Sequence, residues 1–219
     1  MQLSKRTLAI LKGYSSINAS IVVNKGKKLS TMAIPRNILA EADIEEDFPQ
    51  EFAIYNLNEF LAAVSLFNDP ELEFTEKWVN IREKGSKKGG IKYFYSNKAL
   101  IVHPTKPLKN IEEFAVEFTL TEDTLAKLTK AADVLGVKDV VIVADEEGIS
   151  LVVQDRKNDS SNDFEIQVSD KPAKEFRAYL KRDNLKMISG TYQVRVAERG
   201  IAIFTREDGS MRYAIALEA

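Results

Sequence analysis

Apolar positions recur at helical spacing in two places about half the chain apart. Leu8, Leu11, Tyr14 and Ile17 fall on one face of a helix, and so do Leu125, Leu128, Ala132 and Leu135. Ser4 and Thr121 precede these stretches. Each hydroxyl is placed to accept from a backbone N–H that the first helical turn leaves unpaired. After each helix comes a run rich in β-branched residues, ASIVV from Ala19 and DVVIV from Asp139, which reads as a strand.

The likeness extends beyond periodicity. Leu3, Thr7, Leu8, Ala9 and Leu11 return as Leu120, Thr124, Leu125, Ala126 and Leu128, 117 positions later. FAIYNLNEFLAAVS (52–65) lies over FRAYLKRDNLKMIS (176–189), and both read as a short extended stretch leading into a helix of two or three turns. EKWVNI (76–81) lies over ERGIAI (198–203). Each of these leads through a glycine-containing turn, KGSKKGG or EDGS, into IKYFY or MRYAI, which reads as a hairpin. Matched features in a fixed order are the mark of duplication. The pattern predicts two similar α+β domains, residues 1–108 and 109–219. In each, an antiparallel sheet is covered by two helices. The segment HPTKPLKN (103–110), with two prolines, reads as the linker.

The chain has 219 residues, 44% of them hydrophobic, and no cysteine. That composition supports buried cores, removes disulfides and thiolate chemistry, and suits a reducing cytosol. No window has the ~18 consecutive apolar residues of a membrane span. Charges interrupt the apolar run of the N-terminus, which therefore does not read as a signal peptide. Net charge is −2, but residues 1–108 carry 15 Lys and Arg against 12 Asp and Glu, while the remainder is acidic. A polyanion binder with this balance must gather its cations on one surface.

The helices supply such a surface. Lys5, Ala9, Lys12 and Ser16 lie opposite the leucine side of the first helix, because seven residues is nearly two turns. Lys130 has a similar outward place on the third helix. Arg182 and Lys186, four apart, share a face of the expected fourth. Arg6, Lys127 and Lys181 are second choices for the same surface, Lys127 lying nearer the apolar boundary. The second helix offers only Asn58, Glu59, Ala62 and Ser65 outward.

Enzyme chemistry finds no footing. His103 is the single histidine and sits beside Pro104, without a positioned acid–base partner. No nucleophile elbow surrounds any serine. EADIEEDF (41–48) and ADEEG (144–148) lack the spacing of a calcium loop and read as solvated turns. KGSKKGG lacks the Gly-Lys-Ser/Thr ending of a phosphate loop and reads as a mobile hairpin tip. No metal or cofactor is expected.

The order and spacing of AIYNLNEFLAAVSLFND (53–69), NLKMISGTY (184–192), YAIALEA (213–219) and LSKRTLAILKGYSSINASI (3–21) resemble the DNA sliding clamps of T4-type bacteriophages. The resemblance covers essentially the whole chain. It implies a non-enzymatic ring in which three two-domain subunits join head to tail by strand pairing, helices lining the hole and sheets facing out. It implies that double-stranded DNA passes through without sequence being read, that the replicative DNA polymerase binds the ring, and that an ATP-driven clamp loader opens it. It implies a part in late-gene transcription and a place in the cytoplasm of the infected bacterial host. On this reading Lys5, Lys12, Lys130, Arg182 and Lys186 face the DNA. The competing reading is a tandem α+β protein-interaction module that does not encircle DNA.

Overall fold

A computed structural model of the chain describes residues 1–110, 112–158 and 160–218. It divides into two compact units, Met1–Pro107 and Leu108–Ala219. Ile111, at the end of the connector, and Ala219, the last residue of YAIALEA, lie outside the described residues.

The first unit contains α1 (Lys5–Ile17), β1 (Ile21–Val23), β2 (Gly26–Met32), β3 (Ile38–Phe48), β4 (Phe52–Ile54), α2 (Leu57–Ser65), β5 (Pro70–Phe74), β6 (Trp78–Glu83) and β7 (Ile91–Phe94). The second contains β8 (Val116–Leu120), α3 (Glu122–Leu135), β9 (Asp139–Asp145), β10 (Gly148–Gln154), β11 (Phe164–Ser169), β12 (Phe176–Lys181), β13 (Tyr192–Val196), β14 (Ile201–Arg206) and β15 (Met211–Ala216). From the first helix onward the strands correspond one to one. Even β8 has a counterpart. Met1 exchanges backbone hydrogen bonds with Leu72 of β5 at 2.7 and 2.8 Å, in the place where β8 pairs with β13. All the strand pairs described are antiparallel: β1-β4, β2-β3 and β5-β6-β7 in the first unit, β11-β10-β9-β12 and β8-β13-β14-β15 in the second.

The helix ends follow from local chemistry. The Ser4 and Thr121 hydroxyls each accept from the backbone N–H three residues on, at 3.1 Å. Asn56 caps α2 in the same way at 3.2 Å. Gly136 ends α3 with φ 68°, a left-handed conformation that costs glycine little. The first turn of α1 has no acid of its own. Glu46 of β3 supplies one, accepting from the Ser4 N–H and, at 2.5 Å, from the Thr7 hydroxyl. Burial alone would raise the Glu46 pKa. The hydrogen bonds from Ser4 and Thr7 outweigh it and hold the carboxyl below its ordinary value.

The cores lie between helices and sheets. α1 buries Thr7, Ile10, Leu11, Tyr14 and Ile17, while Leu8 is only half-buried. α3 buries Leu125, Leu128 and Ala132 and leaves Leu135 half-exposed. Phe48, Phe52, Phe74 and Tyr95 form an aromatic cluster with centroids 5.2–5.8 Å apart. Burial pushes the Tyr95 hydroxyl up to about 12.

Two expectations need correction. The acidic run 41–48 is not a solvated turn but most of β3, where Glu41 is buried and Glu46 caps α1. The expected fourth helix is absent from 182–189. β12 runs through Lys181, a single 3₁₀ turn follows at Arg182–Asn184, and the segment to Ser189 is irregular. The residue at the cap position, Lys181, makes no side-chain cap hydrogen bond, and its ammonium can only donate. Further along, two tyrosines take the backbone groups a helix would use. Ile188 N–H donates to the Tyr213 hydroxyl at 3.2 Å, and its carbonyl accepts from the Tyr192 hydroxyl. Burial pushes the pKa of both tyrosines up.

Candidate nucleic-acid interface

The eight candidate cations divide by what they touch. Lys5 and Lys12 project from the exposed side of α1, and Lys130 from that of α3. None of the three ammonium groups has an ion pair or hydrogen bond among the described residues. Lys5 and Lys12 are separated by about 10 Å along the axis, at 1.5 Å per residue. Ala9 and Ser16 share their exposed face, as expected.

The other candidates are engaged. Arg6 is half-buried and donates to the Asp43 carbonyl of β3 at 2.7 Å. Lys127 pairs with Asp123, one turn earlier on α3, at 2.7 Å. Lys181 lies across the sheet from Asp139, and their ion pair measures 2.5 Å. Arg182 holds Asp133 of α3 at 2.5 Å and Asp183 at 3.4 Å. Lys186 is exposed but belongs to the irregular segment, so it shares no helical face with Arg182. Among the described residues, then, exposed basic helix faces occur on α1 and α3 only. α2 turns Asn58, Glu59, Ala62 and Ser65 outward, as its sequence predicts.

Between α1 and α2 runs a groove of about 530 Å³. Leu8, Leu61, Val64 and Phe67 contribute to its apolar lining, with Lys5 and Lys12 also along it. Aliphatic lysine stems can cover such a floor while their charged heads stay in water.

The remaining chemistry is sparse. His103 Nδ1 lies 2.8 Å from the Ile101 carbonyl, which can only accept, so this nitrogen carries the proton. No cluster of three metal-ligating side chains occurs among the described residues.

Residues 4–102 match the DNA polymerase processivity factor family, and residues 117–219 match the C-terminal domain of the gp45 sliding clamp. The chain is 32% identical over 224 residues to the sliding clamp of Vibrio phage KVP40, with both chains fully covered. It belongs to the sliding-clamp family. The sliding clamp of Enterobacteria phage T4 is 28% identical over 226 residues, covering all of this chain and 97% of that one. Among solved structures, proliferating cellular nuclear antigen from Entamoeba histolytica superposes with a TM-score of 0.68 at 12% identity, over 97% of this chain and 94% of that one. The PCNA2–PCNA3 complex of Sulfolobus tokodaii gives 0.69 at 13% identity, over 96% and 95%. At such identities these two show the fold alone. The sliding clamp is a non-enzymatic processivity factor, and the family implies DNA, a DNA polymerase and further clamp subunits as partners.

Proposed function

We propose that three copies of this sliding clamp close head to tail into a ring around double-stranded DNA and tether the replicative polymerase to it. The observation that carries this reading is the character of two end strands. No described strand pairs with the outer side of β7 or of β11. Both alternate in exposure. Ile91 and Tyr93 of β7 are half-buried, as are Phe164, Ile166 and Val168 of β11. On the opposite faces stand an exposed Lys92 and an exposed Glu165, of opposite charge. By contrast, the far side of β5 is met by Met1, and that of β12 by a bridge from Tyr179 to Glu218.

An unpaired strand end is a template for another chain. Joining β7 of one copy to β11 of the next uses two different surfaces, a heterologous contact that closes into a ring when the rotation permits. The exposed lysines Lys5 and Lys12 on α1 and Lys130 on α3 supply loose, sequence-independent phosphate contacts of the kind sliding requires. A closed ring needs a machine to open it, so an ATP-driven clamp loader completes the proposal. The proposal extends, on the resemblance to T4-type clamps, to a part in late-gene transcription and to the cytoplasm of the infected bacterium.

Native mass by light scattering tests the assembly. Three times the 24.6-kDa chain mass is expected over a range of concentrations. A monomer throughout would leave the fold intact and favour an interaction module that does not encircle DNA.

A further inference from the structure

We infer that the lysine-rich hairpin tip between β6 and β7 is a second contact for the DNA phosphate backbone, extending the basic face of α1. The inference rests on the ring reading above.

The tip is tied to the helix face. Glu83, at the end of β6, accepts from the backbone N–H groups of Asn68 and Asp69 at 3.0 and 2.9 Å. Lys84 N–H donates to the Asp69 carbonyl at 2.9 Å. The Lys84 ammonium reaches Gln2 at 2.9 Å and Asp69 at 3.9 Å. Gln2, Asn68 and Asp69 line the same groove as Lys5 and Lys12. The base of the hairpin is therefore fixed beside the N-terminal end of α1.

The tip itself is built. Ser86 N–H donates to the Glu83 carbonyl at 3.0 Å, and its hydroxyl to the Lys88 carbonyl at 2.7 Å. Gly90 permits the return: its φ is 128°, and a Cβ there would meet the Ile81 carbonyl at 2.7 Å. A side chain at this position would force the two strands apart.

The electrostatics favour a polyanion. The nearby carboxylates of Glu83 and Asp69 already have partners within this corner. Lys87 and Lys88 are exposed, and neither ammonium has a partner among the described residues. With Lys5 and Lys12 they make a discontinuous basic track with no base-reading geometry, which suits phosphates.

The absence of cysteine makes the test clean. Single variants Lys5→Cys and Lys88→Cys, each carrying a maleimide photo-crosslinker, are threaded onto a linear duplex whose ends are then blocked. Crosslinks to DNA from both positions are expected. A crosslink from Lys5→Cys but none from Lys88→Cys overturns the hairpin contact and leaves the ring. No crosslink from either overturns both. If Lys88→Cys crosslinks added polymerase in place of DNA, the tip is a protein-docking element and the inference is wrong. Lys87→Ala with Lys88→Ala should also lower the slope of log affinity against log salt by about 1 or more. An unchanged slope contradicts the inference.

Discussion

A carboxylate on the free end strand of the second unit should take the assembly apart. Ile166→Asp is expected to give a single-chain mass at concentrations where the parent chain runs as a trimer. Ile166 is half-buried in the isolated chain and pairs with Leu151 on one side only. A neighbouring copy joined to β11 would cover its other side and drive the new charge out of water. The effective penalty for burying an unpaired ion is several kcal/mol, roughly 3 or more. Each 1.4 kcal/mol is a factor of ten, so each contact weakens on the order of a hundredfold. A closed ring contains that contact at every junction. Gln193→Asp is the control: Gln193 is exposed on β13, which has strands on both sides, and its variant should keep the parent mass. If Ile166→Asp keeps a native circular dichroism spectrum and the trimer mass, β11 is not the joining edge.

Reversing charge on α1 should separate assembly from grip. Lys5→Glu with Lys12→Glu should leave the trimer mass unchanged and shorten the products of primer extension by at least about tenfold at moderate salt. The reason is arithmetic. Each phosphate contact contributes about 0.9 to the slope of log affinity against log salt, and the reversal replaces two attractive charges per chain with two repulsive ones. Neither ammonium group has a partner among the described residues, so the fold described does not depend on them. Arg182→Ala is the informative contrast. Its loss disturbs an exposed pair with Asp133, worth about 0–1 kcal/mol of stability, and should leave extension length unchanged. Unaltered extension by the double reversal would remove α1 from the DNA-facing surface.

These contrasts mark what sequence could and could not reveal. α1 and α3 were legible because periodicity, cap residue and following strand agree within one short window. The hairpins β6–β7 and β14–β15 were legible because a glycine-containing turn joins two short strand-like runs in each. The fourth helix was misread because its fate is decided elsewhere: the hydroxyls of Tyr192 and Tyr213, on strands β13 and β15, take the backbone groups of Ile188. β3 was hidden behind its acidic residues, since the partner of Glu46 is the start of α1, some forty residues earlier in the chain. The candidate interface shows the same division. Helical position alone places Lys5, Lys12 and Lys130 on exposed helix faces. It did not show that Lys181 and Arg182 are held by Asp139 and Asp133, pairs that form only when strand, turn and helix meet. The lysines of the hairpin tip were visible in sequence. Their attachment beside α1 rests on Glu83 and Lys84 contacts that no local pattern predicts.

The central claim is topological, and retention on circular DNA tests it most directly. The labelled clamp is loaded onto a nicked circular duplex, isolated, and followed before and after a single double-strand cut. A ring should stay on the circle through a salt wash, because no phosphate contact has to hold it there, and should leave quickly once an end is available. Loss at the same rate from circular and linear DNA would mean that the protein grips DNA from one side, and the encircling ring would be wrong.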